Sequence, residues 1–163
     1  MTITAAVITI SDRCSTGERT DISGPTAVQR LTEAGIEVRQ TMIVHDDVRA
    51  IAEAVQTVAL DTVDFVLTTG GTGITPQDYT ARAMDPLLRF DIPGIAEAIR
   101  MYGMNKGVPG ALLSRGRAGV MVLGPRRILV VNAPGSVGGV SDTLDVLLPI
   151  LEHTIDQVRG GDH

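Results

Sequence analysis

Short apolar runs, mostly of β-branched residues, recur along the chain and are separated by segments in which apolar residues have a helical spacing. Residues 5–10, 63–67 and 128–131 are such runs, and continuous apolar sequence is typical of strands that are buried on both faces of a sheet. Residues 36–44 predict one further strand.

The segments between these strands predict helices. One helix begins near Pro25 and ends before Gly35, because proline favours the first turn of a helix and glycine the position after its end. In residues 46–60 the apolar residues recur three and four positions apart, which is the pattern of an amphipathic helix. Asp46 or Asp47 is the expected cap of this helix.

The last helical pattern covers residues 144–158 and contains Pro149. A proline inside a helix removes a backbone donor and crowds the preceding turn, so we expect two helices or a kink there. Strands that alternate with helices imply βαβ crossovers, and hence an α/β fold: a three-layer αβα sandwich with a mostly parallel central sheet. No long repeat or linker is visible, so residues 1–163 are predicted to form a single domain, with residues 160–163 as a frayed tail.

Composition narrows the classes of function. The chain has a net charge of -5, no Trp, two Tyr and two Phe, which disfavours a nucleic-acid partner because such binding uses basic surfaces and aromatic stacking. Cys14 is the only cysteine, so one chain forms no internal disulfide and no thiolate zinc cluster, as expected in a reducing cytoplasm. The apolar N-terminal stretch has no basic flank and is too short for a signal peptide or a membrane span. We therefore expect a cytoplasmic protein with no membrane partner.

Candidate chemistry lies where the predicted strands end, because ligands of open parallel sheets bind beyond the carboxyl ends of the strands. Turns at residues 11–13, 68–73 and 132–136 follow three of the strands. The run Thr-Thr-Gly-Gly-Thr-Gly at 68–73 predicts a phosphate cradle, since glycines at positive φ let backbone N–H groups surround an anion. A plain tight turn is the alternative. The lack of a following lysine and the glycine spacing disfavour a P-loop and a dinucleotide-binding fold.

A cradle without a lysine must balance phosphate charge in another way, and Mg²⁺ held on carboxylates is the obvious device. Asp46 follows the strand at 36–44, and Asp78 lies five residues beyond Gly73. Both are candidate metal ligands. The alternative is that each caps the helix that follows it.

Further polar residues lie on the other turns. The turn at 134–136 offers a helix N-terminus to an anion, and Ser114 with Arg115 offers a hydroxyl and a planar cation that suit phosphate or a pterin carbonyl. A solvated loop position is the alternative for Arg115. The three histidines have no metal-ligand spacing, and Cys14 is expected to be a small packing residue.

Taken together, these segments resemble the molybdopterin adenylyltransferases of the MogA/MoaB type, which act in molybdenum cofactor biosynthesis. The matching segments follow the family's order and span nearly the whole chain. They are Ile10-Ser11-Asp12-Arg13, Val44-His45-Asp46-Asp47, Thr68 to Gly73 with Asp78-Tyr79-Thr80, Pro93-Gly94, Ser114-Arg115 and Asn132 to Ser136. The Thr-Thr-Gly-Gly-Thr-Gly run with the downstream Asp-x-Thr is the most specific of them.

The resemblance implies the MoaB/Mog-like fold, a homotrimer, and transfer of AMP from Mg-ATP to the terminal phosphate of molybdopterin with release of pyrophosphate. It implies that Asp46 and Asp78 are catalytic and linked to Mg²⁺. The residues it assigns to the substrate pocket are Ser11, Asp12, Gly70, Gly71, Thr72, Gly73, Thr80, Ser114, Arg115, Pro134, Gly135 and Ser136. The retained Asp-x-Thr element favours an active enzyme, and metal insertion would need a separate partner.

A phosphate nucleophile is already ionised at neutral pH, so positioning and charge neutralisation, rather than a general base, would supply most of the catalysis. The main alternative is a non-catalytic protein of the same family that binds or delivers molybdopterin. An interaction scaffold is a third possibility, which requires a large exposed apolar patch.

Overall fold

A six-stranded sheet forms the centre of the molecule. The strands are β1 (Thr4–Ile10), β2 (Glu37–Val44), β3 (Phe65–Thr69), β4 (Leu88–Asp91), β5 (Ala118–Leu123) and β6 (Arg126–Ala133). Their order across the sheet is β2-β1-β3-β6-β5-β4. The first four in this order pair in parallel, whereas β5 pairs antiparallel with both β4 and β6. The prediction of a mostly parallel sheet is therefore confirmed, and β4 and β5 are additions to it.

Helices cover both faces of the sheet. They are α1 (Asp12–Ser15), α2 (Ser23–Glu33), α3 (Val48–Leu60), α4 (Thr80–Ala83), α5 (Pro93–Asn105) and α6 (Val137–Arg159), with a short 3₁₀ helix at Pro109–Leu113. Helices α2, α5 and α6 pack on one face, and α3 and α4 on the other. The computed structural model describes residues 1–162; His163, the last residue of the expected frayed tail, lies outside the described residues.

Burial on both faces explains the continuous apolar sequence of the central strands. Every residue of β1 is buried, with Val7 in the core under α2 and α6 and Ile8 in the core under α3. Successive side chains of a strand point to opposite faces, so both faces must be apolar. Each such side chain contributes roughly 1.5–3 kcal/mol by its removal from water.

Helix α6 runs without interruption past Pro149, so the expected division into two helices is wrong. An interior proline costs about 3 kcal/mol or more. On either side of it, Leu147, Leu151 and Ile155 are all buried in the same core, and each contributes roughly 1.5–3 kcal/mol. Pro149 itself is exposed. The burial on both sides of the proline therefore outweighs the lost hydrogen bond.

Helix α3 begins next to Asp46, and helix α6 ends at the C-terminal residues of the chain. Asp47 caps α3, because its side chain accepts a 2.8 Å hydrogen bond from the N–H of Ala50; Asp46 does not cap this helix. At the end of α6, Gly160 adopts a left-handed conformation, and the N–H of Gly161 donates to the carbonyl of Asp156. Across residues 1–162 we find no helix with the length and apolar character needed to cross a bilayer.

Candidate functional site

The turns that follow β1, β3 and β6 meet at one edge of the sheet and line an open cleft of about 560 Å³. Eight of the residues predicted from the sequence line it: Ser11, Asp12, Asp46, Gly70, Gly71, Asp78, Gly135 and Ser136. A second cavity of about 330 Å³ lies on the other side of residues 70–73, which we call the glycine turn. It contains four more predicted residues together with Ser136: Thr72, Gly73, Ser114 and Pro134. Thr80 and Arg115 line neither space.

Hydrogen bonds with Ala133 and Thr80 fix the conformation of the glycine turn. Gly70 and Gly71 have φ of +104° and +65°, values that only glycine adopts readily. The N–H of Gly70 donates to the carbonyl of Ala133, and the N–H of Thr80 donates to the carbonyl of Gly71. The buried hydroxyl of Thr80 donates a 2.8 Å hydrogen bond to the carbonyl of Gly70. Thr80 thus fixes the shape of the turn.

Gly71 lines the cleft, Thr72 and Gly73 line the second cavity, and each of the three has a backbone N–H group. Within residues 1–162, none of the three donates a hydrogen bond to the protein. Consecutive free N–H groups in a turn form a concave site for an anion. The turn therefore has the donors that a phosphate group requires.

Asp46 lies directly above this turn. A Cβ built on Gly71 would stand 3.1 Å from Oδ1 of Asp46. The other oxygen, Oδ2, accepts a 3.2 Å hydrogen bond from the N–H of Asp12, and Oδ1 of Asp12 accepts a 2.9 Å bond from the N–H of Asp46. Burial raises the pKa of Asp46; the N–H of Asp12 partly offsets this, and the charges of Asp12 and Asp78 raise the pKa further. A cation beside Asp46 would relieve this repulsion.

Asp78 also lines the cleft, and its carboxylate lies against Gly73. Its Oδ2 accepts hydrogen bonds from the N–H and the hydroxyl of Thr75, at 2.9 and 2.7 Å. A Cβ on Gly73 would stand 2.6 Å from the same oxygen, so a larger residue has no room there. The cap position of α4 is Tyr79, with no side-chain cap. Asp78 therefore does not cap the helix after it, and its Oδ1 has no hydrogen-bond partner within the described part of the chain.

Arg115 supports the loop that carries Asp78. Its Nε donates a 2.6 Å hydrogen bond to the carbonyl of Gly73, and its Nη2 donates a 2.8 Å bond to the carbonyl of Asp78. Its backbone N–H donates to the carbonyl of Thr72. The neighbouring Ser114 hydroxyl accepts a bond from the N–H of Gly116. In this structure Arg115 thus joins the two ends of the loop, a contact that the sequence did not predict.

The turn at 134–136 is fixed by two hydroxyl groups from other elements. Thr69 donates to the carbonyl of Pro134 at 2.8 Å, and Ser23 donates to the carbonyl of Gly135 at 2.7 Å. Ser136 caps α6 by accepting a hydrogen bond from the N–H of Gly139. Ser136 lines the cleft, whereas Gly138 and Gly139 line the second cavity. The N-terminus of this 23-residue helix therefore borders both spaces, where its partial positive charge favours an anion.

The sequence analysis does not predict two arginines that line the cleft. Arg13 and Arg19 both line it, and neither side chain has a hydrogen-bond or ion-pair partner within residues 1–162. Arg13 was quoted in the segment after β1 without a role. Arg19 lies in a stretch without periodicity and reaches the cleft because its N–H bonds the carbonyl of Arg13. Their guanidinium groups bring two positive charges to the lining of the cleft, which contains no lysine.

The second cavity is lined mainly by apolar side chains from α5 and the 3₁₀ helix. Ile99, Val108 and Leu113 form most of its walls, and Arg100 and Asp142 are its charged residues. Helix α5 was not predicted. Pro93 at its start and buried Ile95 and Ile99 four residues apart are the signals that would have identified it.

The carboxylate oxygens of the cleft fit a magnesium ion whose other ligands are water and the oxygens of a bound phosphate group. No group of three or more His, Cys, Asp or Glu side chains within residues 1–162 is arranged to hold a metal by itself. Mg²⁺ is usually bound by one or two carboxylates, with water and substrate phosphates as its other ligands. Asp46 and Asp78 both line the cleft and would be such a pair if the cleft held Mg²⁺. His45 instead pairs with the hydroxyl of Ser15 at 2.8 Å.

Comparisons with known proteins agree with this geometry. The chain is 35% identical over 159 residues to a molybdenum cofactor biosynthesis bifunctional protein of Synechococcus elongatus, covering 98% of this chain and 48% of that protein. It thus spans about half the length of that relative. It is 34% identical to the molybdopterin adenylyltransferase of Pyrococcus furiosus, covering 94% of this chain and 89% of that one.

A solved structure gives the same fold. The tungsten cofactor synthesizing protein MoaB from Pyrococcus furiosus superposes with a TM-score of 0.91 at 32% identity, covering 97% of this chain and 98% of that one. The family model described as a probable molybdopterin binding domain matches residues 6–153. This match covers most of β1, all of β2 to β6, the glycine turn and both aspartates, and the chain therefore belongs to the family of molybdopterin-binding domains.

Proposed function

We propose that the protein is a molybdopterin adenylyltransferase, which transfers AMP from Mg-ATP to the terminal phosphate of molybdopterin and releases pyrophosphate. The observation that carries this proposal is the row of free N–H groups at Gly71, Thr72 and Gly73, flanked by the carboxylates of Asp46 and Asp78. The name of the Pyrococcus furiosus relative supports the same activity.

The two spaces beside the turn suit different parts of the substrates. The cleft is lined by Arg13, Arg19, Gly71 and, at the N-terminus of α6, Ser136, which suits phosphate groups. The cavity on the other side is lined mainly by apolar residues, which suits the flat ring of a heterocycle. Because the turn separates the two spaces, a phosphate bound on it would lie beside a ring in the apolar cavity.

The reaction would be an in-line displacement. An oxygen of the molybdopterin phosphate attacks the α-phosphorus of ATP, a new P–O bond forms, and the bond to the leaving pyrophosphate breaks. The free N–H groups and the two arginines hold the phosphates and neutralise their charge, and Asp46 and Asp78 hold the cation. Bound Mg²⁺ supplies charge neutralisation at the phosphate oxygens. No proton needs to be removed from the nucleophile.

We extend the proposal to the protein's organisation. Residues 1–163 would act as a single molybdopterin-binding domain in the cytoplasm, as a homotrimer, and would pass the product to a separate metal-insertion protein. The bifunctional relative supports such a handover, since this chain matches only 48% of it and the remainder is available for a second activity.

The proposal is tested by incubating purified protein with molybdopterin and Mg-ATP. We expect adenylyl-molybdopterin and pyrophosphate in equal amounts. Asp78→Asn should abolish turnover, because the amide carries no charge for the cation. It should still fold, because its oxygen can accept the hydrogen bond from Thr75.

The matched control is Asp61→Asn, which changes an exposed aspartate that accepts a hydrogen bond from Gln40 far from the cleft. It should keep normal turnover. Near-normal adenylylation by the Asp78 variant would refute the role of Asp78. Tight molybdopterin binding by the wild-type protein with no product would replace the enzyme by a binding or delivery protein.

A further inference from the structure

A second polar cleft, of about 500 Å³, lies at the edge of the sheet opposite the glycine turn. It is formed where β6 begins and α6 ends, and its charged lining residues are Asp64, Arg126, Arg127 and Arg159. Three arginines and one aspartate leave a local excess of two positive charges, in a chain whose net charge is -5. This concentration of guanidinium groups has no part in the proposed reaction.

Arg126 has a buried donor without an acceptor. Its Nη2 donates a 2.7 Å hydrogen bond to the carbonyl of Ala59 at the end of α3. Its Nη1 is buried, and within residues 1–162 it is the one buried side-chain nitrogen or oxygen with no hydrogen-bond partner. Buried polar groups are nearly always paired with protein, water or a ligand. An acceptor that enters the adjacent cleft would satisfy Nη1 once the Arg126 guanidinium turns toward it.

The single carboxylate of the cleft does not neutralise the other arginines. Oδ2 of Asp64 accepts hydrogen bonds from the N–H and the hydroxyl of Thr4, both at 2.9 Å. Its Oδ1 pairs with Nη2 of Arg159 at 2.6 Å. Arg127 is exposed and has no side-chain partner among the described residues. The charges of Arg126 and Arg127 are therefore available to a ligand.

We propose that this cleft binds a phosphate group, either as the free ion or as the phosphate of a small phosphorylated metabolite. Planar guanidinium groups bind phosphate oxygens in a bidentate manner, and the cleft brings such groups from both faces of the sheet edge. The C-terminus of α6 carries a partial negative charge, so the attraction must come from the arginines. The proposal does not depend on the reaction at the glycine turn.

The test is a titration of the ¹⁵N-labelled protein with inorganic phosphate, followed by backbone amide NMR. We expect saturable shifts at Arg127 and Gly160, both of which line the cleft. The exposed Arg127→Gln should weaken binding about tenfold, as expected for one lost charge-assisted hydrogen bond. Arg89→Gln, which removes an exposed arginine of β4, is the matched control and should not change binding.

A second titration with glycerol phosphate distinguishes the two sources of the group. Tighter binding of inorganic phosphate identifies the free ion, and tighter binding of the ester identifies a phosphorylated metabolite. Shifts confined to the glycine turn, shifts without saturation, or equal weakening by the two arginine variants would each overturn the proposal. Because the readout resolves individual residues, failure here leaves the adenylylation test unaffected.

Discussion

Replacing Gly71 with alanine tests how the glycine turn is held. The φ of +65° at Gly71 costs a residue with a Cβ about 1–2 kcal/mol. The new Cβ would collide with Oγ1 of Thr80 and lie 3.1 Å from Oδ1 of Asp46. If Thr80 moves, its buried hydrogen bond to the carbonyl of Gly70 is lost, at a cost of about 1 kcal/mol or more. We expect the free energy of unfolding to fall by about 3 kcal/mol.

Gly35→Ala separates the two contributions. Gly35 has φ of +81°, and a Cβ built there meets nothing within 4 Å, so its replacement costs only the backbone strain of about 1–2 kcal/mol. Urea denaturation followed by circular dichroism measures both variants under two-state conditions. If Gly71→Ala loses no more stability than Gly35→Ala, the turn is not locked by Thr80, and our account of the site geometry is wrong.

Two further aspartate variants test the charge balance through pH. Asp46 has a raised pKa, so its carboxyl favours folding below the unfolded value of 3.8 and loses that contribution as the pH rises through the folded pKa. Asp46→Asn should therefore be at least as stable as wild type at neutral pH, and a lower melting temperature there would contradict this. Burial disfavours the charge of Asp64, but hydrogen bonds from Arg159 and Thr4 outweigh it and lower the pKa of Asp64. Asp64→Asn should lower the free energy of unfolding by about 1 kcal/mol at neutral pH. The difference from wild type should shrink as the pH falls through the folded pKa of Asp64. An equal loss of stability in acid would show that the ion pair is not the cause.

The parts of the fold that the sequence predicts are those where one periodicity dominates. β1 and β3 are buried on both faces, so apolar residues fill most of their positions and their threonines, such as Thr9 and Thr68, are buried as well. Helix α3 has a clear apolar stripe. β4 has only four residues, most of them exposed, and its two apolar residues, Leu88 and Phe90, are too few to predict a strand. Pro149 leads to a wrong prediction of two helices, because helix propensity takes no account of the core in which residues on both sides of Pro149 are buried.

The site residues also fall into those that the sequence predicts and those that it does not. Gly70, Gly71 and Asp46 are predictable because they directly follow strands, and the direction of a parallel strand fixes the edge on which its end lies. Arg19 is brought to the cleft by a hydrogen bond to Arg13, which no spacing in the sequence encodes. For Arg115, residue type indicates an anion ligand, whereas its neighbours in space are carbonyl groups. Contacts across the fold, rather than residue type, decide what it does.

The charges around the glycine turn make binding of phosphate and of a cation depend on each other. Asp12, Asp46 and Asp78 line the same cleft as Arg13 and Arg19, so without a cation the carboxylates outnumber the arginines and repel a polyphosphate. The pKa of Asp46 is raised mainly by burial, and the charges of Asp12 and Asp78 raise it further. A divalent cation reverses the balance, and the free N–H groups of the turn then act on the phosphate without opposition. Under the proposed function, linkage requires that phosphate strengthen cation binding by the same factor, and the cleft would select the metal–phosphate complex over either component alone.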